Sequence, residues 1–170
     1  MARGSRVNLV ALDRPHLART RDWANDPEIA RLMNRAKPVS PAEHEAWFDA
    51  IRSRGDCAFF AIETADAGAH VGNVWLWDID ARHRKAELRV VVGESAARNR
   101  GAGAEAIDLL CRHGFGELGL HRIYAYVLAI NPRARRAFER AGFVLEGTLR
   151  DDRWTGDAFT DTHVLARLAD

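Results

Sequence analysis

Apolar and polar residues alternate over residues 7–12, the pattern of a half-buried strand. Asp13-Arg14-Pro15 then has the chemistry of a helix start, with Asp13 as N-cap and proline in the first turn. Leu17, Trp23, Ile29 and Met33 continue a helical pattern that Asp26-Pro27 interrupts. Ser40-Pro41-Ala42-Glu43 is a capping box, and the helix it opens carries Trp47, Phe48 and Ile51 inward before ending near Gly55. Residues 58–63 form a short apolar run, and Asp66-Ala67-Gly68-Ala69 a turn. Residues 70–77 alternate again: Val71, Asn73, Trp75 and Trp77 share one face, Gly72, Val74 and Leu76 the other. Residues 86–92 are a further strand. From about Gly101 the period becomes helical, with Ile107, Leu110, Cys111, Gly114 and Leu118 at core spacing. Residues 123–128 read as a buried strand. Asn131-Pro132 opens a short helix through Arg140, and Gly142 stops it. Residues 143–149 and 159–168 are the last two strands.

The order is strand, two helices, three strands, helix, strand, helix, two strands. Such a chain is α/β, with a mixed, largely antiparallel central sheet flanked by about four helices. The strand, helix and strand over residues 86–128 require one right-handed parallel crossover. Ligands of such sheets bind beyond the carboxyl ends of the strands, here near Val92 and Leu128. No repeat, low-complexity tract or linker divides the chain, so residues 1–170 read as a single domain.

With 170 residues and 47% hydrophobic content, the chain can bury a proper core. Its 25 basic and 24 acidic residues are interspersed, and a net charge of +1 makes no case for nucleic acid or a membrane surface. Arg133, Arg135 and Arg136 form one local basic cluster. Cys57 and Cys111 are too few for a disulfide framework, and Cys111 sits on a helical apolar face as a buried thiol rather than a nucleophile. There is no apolar signal segment and no stretch of membrane-spanning length, so the expected compartment is the cytoplasm. The seven histidines include no pair at metal-ligand spacing, and no metal is expected.

Residues 98–103, Arg-Asn-Arg-Gly-Ala-Gly, link the strand ending at Val92 to the helix that follows. A helix N-terminus offers N–H groups without intrahelical partners and a partial positive charge. Gly101 and Gly103 allow close approach of a ligand, and Arg98 and Arg100 add cationic donors suited to phosphate. A pyrophosphate fits that chemistry best. The nucleotide-triphosphate loop is excluded, since Gly-x-x-x-x-Gly-Lys-Ser/Thr is missing. The dinucleotide fingerprint is excluded too, because its third glycine would fall at Ala106.

Four segments carry a family resemblance: Ala86-Glu87-Leu88, the Arg-x-x-Gly-x-Gly run at 98–103, the helix from Asn131 to Gly142-Phe143, and Glu146-Gly147-Thr148-Leu149-Arg150. Together they resemble the GNAT superfamily of N-acetyltransferases, more narrowly its RimJ/RimL-like branch. The stretch from Trp23-Ala24-Asn25-Asp26-Pro27-Glu28 through Pro38-Val39-Ser40 to Trp47-Phe48 resembles a subset acting on amino sugars, of which a nucleotide-linked 4-amino sugar of the pseudaminic-acid type is the best-known substrate.

The resemblance implies acetyl-CoA as co-substrate, held in a V-shaped cleft between the strands at 87–92 and 123–128. Backbone groups of Val90 and Val92 would pair with the pantetheine arm, and the N–H of Val90 or Val91 would serve the thioester oxygen. The N–H groups of Arg100, Gly101, Ala102, Gly103 and Ala104 would hold the pyrophosphate. Asn131 would bond the pantetheine arm, and Arg136 would approach the phosphates. Glu87 is the candidate base, since an alkylammonium must lose a proton before it attacks; its structural alternative is pairing with Arg89 or Lys85. Phe138 stands where many relatives have a tyrosine that protonates the thiolate, and Ala134 replaces a common serine. His121 or a water would then supply that proton, or the thiolate would leave unassisted.

Met33, Asn34, His44, Trp47, Trp75 and Trp77 are the acceptor-side candidates, with His83 and Trp154 as weaker ones. For His44 a solvated helix position competes, and for the two tryptophans core packing. Asp151-Asp152-Arg153 reads as a solvated turn or a rim. The expected activity is acetyl-CoA-dependent N-acetylation of a small-molecule primary amine, an amino sugar or nucleotide-linked amino sugar. A protein N-terminus as acceptor, and a non-catalytic acyl-CoA-binding module, are the alternatives. Pairing of two copies through the C-terminal strands is the expected assembly.

Overall fold

The computed structural model describes residues 2–35 and 37–169. Eight strands form one sheet: β1 (Ala2–Arg3), β2 (Val7–Ala11), β3 (Ala58–Thr64), β4 (His70–Asp80), β5 (Lys85–Val92), β6 (Arg122–Leu128), β7 (Val144–Trp154) and β8 (Phe159–Leu168). Their spatial order is β1-β2-β3-β4-β5-β6-β8-β7. All pairs are antiparallel except β5 with β6, the parallel crossover expected from the strand–helix–strand pattern.

Five helices flank the sheet: α1 (Leu17–Asn25), α2 (Pro27–Leu32), α3 (Pro41–Ser53), α4 (Ala102–Gly116) and α5 (Pro132–Arg140). The sequence pattern suggests about four. The extra one arises because Asp26 ends α1 and caps α2, its side chain accepting from the Ile29 N–H at 3.0 Å. Both expected capping devices form. Ser40 and Glu43 cap α3 reciprocally, at 3.2 and 2.8 Å. Asp13 and His16 do the same for a short 3-10 turn ahead of α1.

The main core lies between the sheet and α4 with α5, where Leu9, Leu76, Leu88, Ile107, Leu110 and Ile123 are nearly or fully buried. A second cluster joins Leu12, Leu17, Phe48, Ile51 and Ala61 under α3. Phe48 is fully buried there, so its truncation to alanine should cost roughly 3–5 kcal/mol.

Three expectations need correction. Leu118 is 41% exposed, because α4 ends at Gly116 and Leu120 takes the core position. Val71 joins the core on the α4 side rather than sharing a face with Asn73; it is the extra residue of a bulge between Ile62 and Glu63 on the partner strand's register. Residues 151–153 are strand, not turn: β7 runs on to Trp154 past a bulge at which Asp151 has φ +52°. Strand β1 has too short a pattern to read. It pairs with β2, and Glu105 holds the turn between them, its carboxylate accepting from the N–H groups of Ser5, Arg6 and Val7 at 2.7–2.9 Å.

Candidate functional site

The parallel pairing of β5 with β6 spans only Lys85–Arg122, Ala86–Ile123 and Glu87–Tyr124. Beyond Glu87 the strands part, while β4 stays paired with β5 to Val92 and β8 with β6 to Leu128. This divergence opens a groove on the backbone of Val90, Val91 and Val92. The loop residues Arg98, Asn99, Gly101, Gly103 and Ala104 line one side, and Asn131, Ala134, Arg136 and Ala137 of the α5 region line the other.

At the head of the groove, Gly101 has φ +85° and is the residue before α4. A side chain there would be strained, so glycine is required by conformation. The first intrahelical bond runs from the Glu105 N–H to the Gly101 carbonyl at 3.0 Å. The N–H groups of Ala102, Gly103 and Ala104 lie ahead of that bond, so the helix makes no call on them. Asn131 caps α5, its amide oxygen accepting from the Ala134 N–H at 3.0 Å. That leaves its NH2 as the donor for a ligand.

Two loop arginines depart from expectation. Arg98 is folded back: Nε donates to the Val92 carbonyl and Nη2 to the Gly93 carbonyl, both at 3.0 Å. Its Nη1 donates to Glu28 at 2.9 Å, and Arg133 reaches the same carboxylate at 3.1 Å. Hydrogen bonds from Arg133 and then Arg98 hold the Glu28 carboxyl below the usual carboxylate range. Arg98 is therefore a tie across the loop more than a free cation. Arg100 lines a separate recess with Ser5, Arg6, Arg19 and Glu94. Asn99 (φ +60°) and Gly101 (φ +85°) both take left-handed backbone in this loop.

Glu87 lies in a recess beside the groove, with Asn34, Arg89, Tyr126, Phe138, Arg153 and Thr162. Its carboxylate is held by Arg89 through two bonds, 2.7 and 2.9 Å long. The pairing with Arg89 considered from sequence is thus present. Phe138 is buried, edge-on to Phe143 at 5.0 Å. The hydroxyl of Thr162 is buried in the same recess without a hydrogen-bond partner among the described residues.

A third space is walled by Trp23, Trp47, Phe59, Trp75 and Trp77. Phe59 stacks on Trp75 at 5.3 Å with an 11° interplanar angle. Both Trp75 and Trp77 reach this pocket, because residues 73, 75 and 77 of β4 face away from the α4-side core. His44 is 6% exposed and packs on Trp47 at 4.9 Å, so it is buried in the pocket wall and not solvated. Burial pushes its imidazole below the ordinary histidine value. Arg35, Lys37 and Arg89 bring positive charge to this wall, and Glu43, already bonded to Ser40, is its acid. Met33 lines all three spaces, whereas Asn34 belongs to the Glu87 recess.

The weaker candidates lie elsewhere. His83 pairs with Asp80 at the turn before β5, and His121 precedes β6, its N–H bonded to the Arg84 carbonyl. Both are at the end of the sheet remote from the loop. Trp154 is exposed and packs on Phe159 at 5.1 Å. Cys111 is fully buried, and burial pushes its thiol up to about 12, which removes it as a nucleophile. Among the described residues no cluster of three metal-ligating side chains occurs, and no helix is long and apolar enough to cross a membrane.

Sequence reasoning missed Trp23, Arg35, Lys37, Tyr126 and Thr162 as lining residues, and Glu28 as the partner of Arg98 and Arg133. Arg35 and Lys37 come from the connection between α2 and α3, Tyr126 from β6 and Thr162 from β8, parts of the chain far apart in sequence.

A family model described as an acetyltransferase (GNAT) domain matches residues 6–144. Spermidine N(1)-acetyltransferase of Vibrio cholerae serotype O1 is 30% identical over 102 residues, 60% of this chain and 58% of that protein. The alignment thus spans less than two thirds of that relative. Probable N-acetyltransferase YjcK of Bacillus subtilis is 35% identical over 112 residues, 64% of this chain and 60% of that protein. The crystal structure of spermidine N-acetyltransferase from Vibrio cholerae in complex with CoA and spermine superposes with a TM-score of 0.88 at 26% identity, covering 97% of this chain and 96% of that one. Polyamine enzymes are a different group from the amino-sugar subset that the N-terminal stretch resembles.

Proposed function

The chain belongs to the GNAT acetyltransferase family, and we propose that it transfers an acetyl group from acetyl-CoA to a primary amine of an anion-bearing small molecule, a nucleotide-linked amino sugar. The observation that carries the acceptor assignment is the aromatic pocket with Arg35, Lys37 and Arg89 on its wall. Flat rings suit a base or a sugar face, and guanidinium and ammonium groups suit phosphate. A polyamine brings several positive charges to a wall where, among the described residues, Arg35, Lys37 and Arg89 outnumber Glu43, an arrangement that like-charge repulsion disfavours. Polyamine transfer is the second reading, favoured by the names of the relatives and by the capacity of aromatic walls to hold ammonium groups.

In this reading acetyl-CoA occupies the groove. Its pantetheine arm runs along Val90, Val91 and Val92, and the NH2 of Asn131 bonds it. Its pyrophosphate rests on the N–H groups of Ala102, Gly103 and Ala104, with Arg136 beside it. The acceptor ammonium gives a proton to Glu87, directly or through water. The neutral nitrogen attacks the thioester carbon, whose oxygen takes a hydrogen bond from the Val90 or Val91 N–H. Phe138 cannot protonate the departing sulfur. The Thr162 hydroxyl, otherwise unpartnered, is the donor available to it, and a thiolate with an intrinsic pKa near ~8.5 is a fair leaving group unaided. Self-association through the C-terminal strands belongs to the same proposal, since β7 is the sheet edge and exposes Val144, Leu149 and Trp154.

The test follows CoA thiol release across a nucleotide-linked 4-amino sugar, an aminoglycoside, spermidine and Ser- or Ala-starting peptides. Selective release with the amino sugar supports the proposal. Release with spermidine alone moves the acceptor to polyamines, and release with peptides alone to protein N-termini. Binding of acetyl-CoA without release from any amine supports a non-catalytic module.

A further inference from the structure

Glu87 and Arg89 are two residues apart on β5, so both side chains leave the same face of the sheet. The guanidinium grips the carboxylate at both oxygens, Nε to Oε1 at 2.7 Å and Nη2 to Oε2 at 2.9 Å. The two side chains differ in access: Glu87 is 11% exposed and Arg89 42%. Arg89 lines both the aromatic pocket and the recess, while Glu87 lines the recess and is not among the residues of the aromatic wall. Across the β4–β5 pairing, Trp75 is opposite Arg89 and Trp77 opposite Glu87, and the guanidinium lies 5.8 Å from the Trp77 ring centroid.

Both oxygens of the Glu87 carboxylate are thus engaged by one guanidinium in a two-bond fork. The candidate base is therefore held by a cation that also faces the acceptor pocket. We propose that Arg89 is a latch on Glu87, opened by the acceptor's own anionic group. A phosphate in the aromatic pocket competes for the guanidinium, Arg89 swings to it, and Glu87 is left free to take the ammonium proton. This rests on the transfer reading above. The step balances. One proton passes from the ammonium to Glu87, the nitrogen lone pair forms the C–N bond, and the C–S bond breaks. The thiolate departs, and the second nitrogen proton reaches it through solvent.

Arg89 acts here through Glu87, so it is a positioning residue. A cation that only bound phosphate would alter KM. A latch alters kcat, because an acceptor without the anion still binds but meets a base that is held.

The test compares kcat and KM for a 4-amino sugar and for its 1-phosphate, in the wild type and in Arg89→Gln and Arg89→Lys. Arg89 is partly exposed, so these variants are expected to fold. In the wild type the 1-phosphate should exceed the free sugar in kcat by about tenfold or more, the scale of one charge-assisted bond. Inorganic phosphate added with the free sugar should raise its kcat. In R89Q the kcat ratio should fall to about one, chiefly by a rise for the free sugar, and added phosphate should do nothing; R89K should retain part of the ratio. A KM change alone with the kcat ratio kept, or an equal loss for both sugars, overturns the latch while transfer stands. Absence of CoA release with either sugar removes the transfer reading and the latch with it.

Discussion

Arg98 donates from Nε to the carbonyl of Val92 at 3.0 Å, so the cation that opens the glycine loop is bonded to the last residue of the strand before it. With further bonds to Gly93 and Glu28, this side chain fixes where the loop leaves β5 and hence where the N-terminus of α4 points.

Replacing Arg98 by alanine should therefore act on both stability and cofactor binding. Two carbonyls lose their donor, at a cost of about 1–3 kcal/mol, and the loop loses its set position. We expect a lower thermal midpoint by scanning fluorimetry and about tenfold weaker acetyl-CoA binding by calorimetry. Arg98→Lys should not restore either, because an ammonium cannot bond both carbonyls and Glu28 in the fork geometry. Unchanged binding in both variants would show that the loop holds its shape without this tie.

Gly93 is set against Trp23: a Cβ there would lie 2.0 Å from the indole. Gly93→Ala must displace Trp23, a wall of the aromatic pocket, and overpacking of this kind costs about 1–3 kcal/mol. Urea unfolding should show the loss, and the acceptor KM should rise more than the acetyl-CoA KM. Equal effects on the two would place Trp23 outside the acceptor site.

The charge on the pocket wall makes a directional prediction. The double charge reversal Arg35→Glu with Lys37→Glu should raise KM for an anionic acceptor by about tenfold and lower it for spermidine. Steady-state kinetics on the two amines checks this. Loss of activity toward both without a change in preference would mean that these side chains do not meet the acceptor.

Burial lowers the imidazole pKa of His44 and of His70, whose Nε2 lies 2.9 Å from the Asn73 side chain. The fold therefore binds fewer protons than the unfolded chain, whose histidines titrate near ~6.5. This contribution to stability is complete above that value and is lost as pH falls through it. The urea midpoint should drop between about pH 7.5 and pH 5.5. His70→Gln should flatten that dependence, and an identical slope in the variant would assign the effect to other groups.

Much of this arrangement was legible because its causes are local. Ser40 with Glu43, Asp26 before Pro27, and Gly101 before Ala102 are determined within a few residues. The alternation through Asn73, Trp75 and Trp77 puts these residues on one face, and all three line the aromatic pocket. What escaped depends on distant parts of the chain. His44 is buried because Trp47 and the chain beyond α2 cover it, which no helical period reveals. Arg98 reads as a phosphate ligand until its carbonyl and Glu28 partners are seen, 70 residues apart in the latter case. Asp151-Asp152-Arg153 looks like a turn by composition, yet it lies within β7, at a bulge beyond which the pairing with β8 resumes at Arg153.

The central claim is acetyl transfer to an amine that carries an anion. Incubation with acetyl-CoA and equal concentrations of a nucleotide-linked 4-amino sugar and spermidine, followed by mass spectrometry of both amines, tests it most directly. Rapid acetylation of the amino sugar and little of spermidine are expected, with a fall of about a hundredfold in the former rate for Glu87→Gln and acetyl-CoA affinity nearly unchanged. Preferential acetylation of spermidine, or full rate in the Glu87→Gln enzyme, would contradict it.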